Sequence, residues 1–412
     1  MMMSGGSHPA IGAGAASMII VIVVTMVTVT TTASYYAAKQ SAGAGTTTGA
    51  TSASTSLVTT SSAAGPAGQV VLGNGSSWVA YDSVNNDVYV VNTNIYGEAS
   101  VSVLSGGRAV STIPVGAGDY ESPSSIAVDT SNGYAYVASA YTDSVAVISG
   151  TSLVANISLR PQMPETLLFD PENGYIYVAD TNVHALPSVY TTVDGNGNTV
   201  SVISGTAVIA NITVGSAPFA LVYNPSNGRV YVGDAGSANF SVISGTIVVG
   251  QFGGSYGTLF GAYDPANRFV YFLSSEVTVV SNETVVATIP VGYNPWRLAY
   301  DPANQFMYVV ALGEAGISNS SVVAISGTRV AGNLTVGDYA EGILYDPQNQ
   351  GVYVALSDAD QVAVMSGTSV VDRLAAPSPT GLAYDAADGS VYVTDYYVVF
   401  PGAGGVTIFP AG

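Results

Sequence analysis

One phrase occurs eight times in this chain and constrains its fold more than any other feature. An apolar run ends in Asp or Asn, a short turn rich in Pro, Asn and Gly follows, and a Val-Tyr-Val-like strand comes next. The tyrosines of that strand are Tyr89, Tyr136, Tyr177, Tyr231, Tyr271, Tyr308, Tyr353 and Tyr392, spaced 47, 41, 54, 40, 37, 45 and 39 residues apart. A repeat of this length built only of short strands is the signature of a β-propeller.

A single repeat shows the four strands of a blade. From Pro218 the chain reads PFALVYN, PSNG, RVYVGD, then NFSVISG and TIVVGQF (239–252). Runs of β-branched and aromatic residues alternate with Gly, Asn, Pro and Ser, the pattern of strands and turns. The first connection recurs as YDSVNND, VDTSNGY, FDPENGY, YNPSNGR, YDPANRF, YDPANQF, YDPQNQG and YDAADGS. Asp or Asn opens such a turn by bonding its own backbone two residues on, and Pro presets the next corner. The third connection is commonly SGT (149–151, 204–206, 244–246, 326–328, 366–368), whose glycine suits a tight hairpin. The strands are lettered A to D, with A lining the central channel.

The ends of the array predict how the ring closes. The last repeat runs TGLAYD, SVYVTD and GVTIFPAG without a strand D, while an orphan strand, GQVVLGNG (68–75), precedes the first repeat. Docking that strand onto the last blade removes an open edge and yields eight blades. Seven remains the alternative if the long third repeat is decoration. The expected organisation is a hydrophobic segment over 1–39, a Ser/Thr/Gly-rich linker over 40–68 and the propeller over 69–412.

VYVVN (88–92), IYVAD (176–180), VYVGD (230–234) and VYVTD (391–395), joined to the DP-x-N turn and the SVISGT hairpin, resemble the YVTN β-propeller repeats. That family occurs in archaeal and bacterial surface proteins, some of them associated with the surface layer. The resemblance spans roughly residues 69–412 and implies a propeller at the cell surface. It implies no particular activity, since related propellers range from structural modules to lyases and lactonases.

Composition restricts the partners. The chain has no cysteine, so neither a disulfide framework nor a zinc cluster is available. Charged residues make up 8% of the chain, and the net charge of −19 excludes a nucleic-acid partner. The surface must be solvated by hydroxyls and amides, which keep their character when carboxylates protonate. This fits an acidic exterior such as that around an acidophilic archaeon, or simply a secreted chain poor in lysine.

The run ASMIIVIVVTMVTVTTTA (16–33) carries no charge, but its late threonines make it a marginal span. Three readings fit: an uncleaved membrane anchor, a cleaved export signal, or an assembly segment of the archaeal pilin kind that makes the protein a filament subunit. The linker is a flexible tether or a glycosylated stalk. Seven Asn-x-Ser/Thr sequons follow, at Asn74, Asn156, Asn211, Asn239, Asn282, Asn319 and Asn333. Asn156, Asn211 and Asn333 share one place in strand D, the outer edge of a blade, where a glycan fits and blocks edge pairing.

Catalytic signals are sparse. The histidines are His8 and His184, and no glycine-rich phosphate motif opens a helix. Asp194-Gly-Asn196-Gly-Asn198 mimics the start of a calcium loop, but Thr199 stands where glycine is needed and no acid closes it. Asp82, Asp129, Asp170, Asp264, Asp301, Asp346 and Asp385 recur as turn residues and read as structural. The residue five before each turn Asp or Asn belongs at the channel mouth: Ser77, Ser124, Glu165, Phe219, Leu259, Trp296, Glu341 and Thr380, with Trp78 and Arg297 one step inside. Glu165 and Glu341 lie on blades three and seven, opposite one another in an eight-bladed ring.

The expected protein is a non-enzymatic, extracellular, envelope-tethered propeller serving surface-layer structure or adhesion. It needs no cofactor, catalytic residue or metal. Its partners are envelope proteins or glycans, other copies in a lattice or filament, and the membrane through the N-terminal segment. The alternatives are a secreted hydrolase or lyase acting at the channel mouth, and the filament subunit.

Overall fold

Strand B of each repeat, for example RVYVGD, is apolar on both faces because both faces are covered. Apart from a half-buried first residue in five blades its residues are buried, as are most of strand C. Strand D instead reads exposed along most of its length, with one or two deeply buried positions. Burial therefore falls off toward the rim of a radial sheet. A computed structural model describes residues 68–72, 75–93, 99–116, 123–182, 197–313, 319–396 and 404–410. They form eight four-stranded antiparallel sheets, each ordered A-B-C-D. The A strands are Gly75–Asp82, Pro123–Asp129, Pro164–Asp170, Pro218–Asn224, Phe260–Asp264, Pro295–Asp301, Ala340–Asp346 and Pro379–Tyr384. Each packs against the A strand of the next blade, the eighth against the first, so the ring is closed. The third repeat is a full blade, and the seven-bladed alternative is not adopted.

Closure follows the expected route. Gly68–Val71 pairs antiparallel with Gly405–Phe409, strand C of blade eight, in the register Gly68↔Ile408 and Val71↔Gly405. The Leu72 amide extends the ladder by donating to the Gly404 carbonyl at 2.9 Å. This pairing sets the two ends of the array in one sheet and leaves strand C of blade eight no open edge.

The core is a set of seams between blades. Tyr308, Val310 and Val322 of blade six meet Val352, Val354 and Met365 of blade seven, and each of the eight seams holds such a cluster. The repeat tyrosines fill these seams and are nearly all fully buried. Burying each ring contributes roughly 1.5–3 kcal/mol. Their hydroxyls also reach the next blade. Tyr136, Tyr177, Tyr271 and Tyr308 donate to the carbonyls of Gly205, Gly245, Gly327 and Gly367 at 2.9, 2.7, 2.6 and 2.9 Å. Those glycines belong to the SGT hairpins, so one recurring turn serves two blades. At blade five SGT is replaced by Ser281-Asn282-Glu283-Thr284, and an Arg229–Glu283 ion pair crosses that seam instead.

The A–B turns are held as their sequence demands. The side-chain oxygen of each turn Asp or Asn accepts from the amide two residues on, at 2.8–3.0 Å in all eight blades. The exit residue takes a left-handed conformation. Gly or Asn supplies it in five blades, but Arg268, Gln305 and Gln350 are also held there, at φ of 58°, 62° and 58°. These exposed residues adopt it despite the usual preference of non-glycine residues for negative φ.

Candidate channel-mouth site

The channel mouth is built by an interruption at the start of strand A. In blades two, three, four, six and eight this strand begins with proline, which has no N–H to donate to strand B. The A–B register then shifts at the next residue, which is Ser124, Glu165, Phe219, Trp296, and Thr380 with Gly381. Ser77 and Glu341 sit at the same shift in blades one and seven. Seven of the eight expected mouth positions are therefore β-bulge residues, a device that re-aims a side chain at the rim of a sheet. Blade five is the exception: its register starts regularly at Phe260, and Leu259 bonds the Leu273 carbonyl through its amide.

Aromatic rings gather on one side of the mouth. Phe219 meets Phe260 edge-on at 6.1 Å, and Phe260 meets Trp296 edge-on at 5.7 Å, forming an arc over blades four, five and six. Arg297 packs its guanidinium 4.0 Å from the Phe260 ring centre, 4.7 Å from Trp296 and 5.3 Å from Trp78. Blades six and one are not neighbours, so only the channel can bring Arg297 and Trp78 together. The expected inner pair is thus in contact, joined by Phe260, which has no mark in the sequence beyond being apolar and next to Leu259. One Arg297 N–H donates to the Trp296 carbonyl at 3.1 Å.

The carboxyls flank that arc, Glu165 on blade three at one end and Glu341 on blade seven at the other. Glu165 and Glu341 are half-buried, open to the channel yet walled by protein around it. That poor solvation pushes the Glu165 carboxyl up to about 7. Burial also lifts Glu341 to about 7, with the Arg297 charge and a Ser357 hydrogen bond pulling against it. Arg297 is lowered to about 10 by burial and stays cationic at neutral pH. No ion pair closes between Arg297 and Glu341, so a gap separates them. Burial and then the Glu165 charge raise the Tyr141 phenol, so a polar ring lies near that carboxyl. Tyr396 is raised in the same way beside Glu341. The mouth thus offers apolar faces, one fixed cation and two carboxyls that both donate and accept near neutral pH.

The remaining expected positions are dispersed. Asn156, Asn211, Asn282, Asn319 and Asn333 are exposed, and Asn239 is half-buried. Asn211 accepts from Ser201 through Oδ1, the amide atom that N-glycosylation leaves untouched. Asn74, Asp194, Asn196, His8 and His184 lie outside the described residues, as do the segment 16–33 and most of the linker. Among the described residues no three His, Asp or Glu side chains gather to hold a metal, and no helix is long and apolar enough to cross a membrane. Each turn aspartate gives a side-chain oxygen to the amide two residues on in its own turn. An open depression of about 270 Å³ in the connections of blade seven is lined by Asp360, Ala375, Ala376 and Pro377, and the Ser378 amide bonds its one carboxylate.

No protein-family model matches the sequence, and no curated protein does. Solved structures do. A hydrazine synthase from Kuenenia stuttgartiensis matches with TM-score 0.52 and 16% identity, over 70% of this chain and 96% of the other. A catalytically inactive virginiamycin B lyase from Staphylococcus aureus, with quinupristin, matches with TM-score 0.53 and 10% identity, over 71% and 96%. At these identities the likeness is one of fold: this chain is an eight-bladed β-propeller.

Proposed function

We propose that this protein is a non-enzymatic binding propeller of the YVTN type, tethered outside the cell and serving envelope structure or adhesion through its channel mouth. The observation that carries the reading is the engagement of Arg297 by Trp78, Phe260 and Trp296. A cation fixed on three rings is a rigid recognition surface. The exposed sequons on strands D and the hydroxyl-rich surface support an extracellular setting. Adhesion of the full-length protein to envelopes of the cells that make it tests the reading. The expected result is saturable attachment, lost on Trp296→Ala and weakened but not abolished in the Glu165→Ala, Glu341→Ala double variant. Mass spectrometry of native protein is expected to find sugar on Asn156, Asn211 or Asn333.

One observation favours a second reading. Carboxyls held near 7 are suited to general acid–base work, so Glu165 or Glu341 could serve a secreted hydrolase or lyase. Turnover of any substrate that vanishes in the double variant would establish that reading and displace the first.

A further inference from the structure

We infer that the channel mouth takes a neutral oligosaccharide, stacked on the Phe219–Phe260–Trp296 arc and oriented by Arg297 and the two glutamates. The inference rests on the binding-module reading and names its ligand. Shape is the first argument. Three half-exposed rings follow one another edge to face across successive blades, and the connections leading into Phe260 and Trp296 carry Tyr256 and Tyr293, 68% and 65% exposed. Exposed tyrosines beside a partly buried aromatic arc make an extended platform with polar tips, suited to a chain of flat C–H faces bearing hydroxyls.

Charge decides between ligand classes. A cationic ligand would meet the like charge of Arg297, which is fixed against three of the rings. An anionic ligand meets two glutamates against one arginine, in a chain of net charge −19. A neutral ligand avoids both costs. Hydrogen bonding agrees: a guanidinium only donates, while a carboxyl near its midpoint both donates and accepts. Sugar hydroxyls match that mixture, whereas an aliphatic ligand would strand the Arg297 and Glu341 groups unpaired in the gap between them.

The chain contains two tryptophans, Trp78 and Trp296, and both touch Arg297, so tryptophan emission reports this site alone. Full-length protein is titrated with neutral gluco-, manno- and galacto-oligosaccharides, and with oligogalacturonides as the acidic counterpart. At least one neutral series is expected to change the emission saturably, with weaker binding of the acidic series. Trp296→Phe keeps a ring against Phe260 and is expected to weaken binding about tenfold. Glu341→Gln, a variant of similar shape, is expected to weaken it severalfold without altering the far-ultraviolet spectrum. Absence of any saturable change with the neutral series up to about 10 mM, well above a millimolar dissociation constant, overturns the inference. So does tighter binding of the acidic series. Envelope adhesion separates the two levels: attachment that survives periodate oxidation of the envelope sugars removes the sugar assignment and leaves the binding module standing. No attachment to untreated envelopes removes both.

Discussion

Tyr177 and Tyr353 occupy the same place in two repeats but do different work. The Tyr177 hydroxyl accepts from Asn173 and donates across the seam to Gly245. Tyr353 bonds Asn349 and Asp346 within its own blade, because blade eight has no C–D hairpin to offer a carbonyl. It is also the most exposed of the eight, at 6%. Tyr177→Phe is expected to lose about 1–2 kcal/mol in urea unfolding and Tyr353→Phe measurably less. Asp180 poses a different problem. It is fully buried, its Oδ1 has no partner, and its Oδ2 meets the Ser201 hydroxyl at 2.7 Å. That hydroxyl has one proton and also faces Asn211 and Gln162 oxygens, a crowding relieved when Asp180 itself is protonated. Burial accordingly lifts this carboxyl from 3.8 to about 7. The unfolded chain then releases its proton first, so stability falls as pH rises from about 4 to 7. Asp180→Asn is expected to remove that loss, gaining stability at pH 8 and little at pH 4, as read by urea midpoints. The Asn92 amide already fills the equivalent place in blade one, bonded to Ser76, Ser100 and Ser102. The motif's D or N was legible in the sequence, but its burial beside a hydroxyl was not, because only strand pairing sets Ser201 against it.

At the scale of elements, the closing strand is short, and the seam it completes is the leanest. Val88, Val90, Leu104, Tyr392 and Val406 form that cluster, with Val70 and Leu72 packed on it. Gln69 also bonds Asp395, a carboxyl that burial raises to about 7. A chain beginning at Gly75 is expected to lose roughly 2–5 kcal/mol and to self-associate, since strand C of blade eight would then be an open edge. Urea unfolding and light scattering check the two parts. The strand itself could be read from its likeness to the strand-D segments, and its four-residue ladder lies where that likeness placed it. The bulge at the start of strand A could not be read as a bulge. Proline marked its place in five blades, but two residues opposing one is a property of the pair of strands, and no single strand displays it. Tight spacing completes the placement: a side chain on Gly342, next to Glu341, would run into the Thr380 carbonyl of blade eight.

Across the whole molecule the electrostatics share one sign. Among the described residues the displaced carboxyls, namely Glu165, Asp170, Asp180, Asp234, Asp301, Glu341, Asp385 and Asp395, are all raised, and burial is the leading cause each time. A raised carboxyl stabilises fully below its unfolded value and loses that contribution as pH climbs through its folded value. The expected profile therefore has its maximum below about pH 4 and declines toward 7 and above, unlike the usual optimum between about 5 and 8. Thermal unfolding from pH 2 to 9 checks it, and a maximum at neutral pH would refute it. Lower pH also reduces the self-repulsion of a chain with 27 acidic and 8 basic residues. The sequence alone determined the strands, the turns and the latch, because each arises from spacing within one repeat or likeness between repeats, and it left the blade count between eight and seven. Which rings surround Arg297, and which carboxyls lose their solvent, was decided only when eight blades closed into a ring. Contacts across a channel join residues that no local pattern relates, and the energy that brings them together is spread over all eight seams.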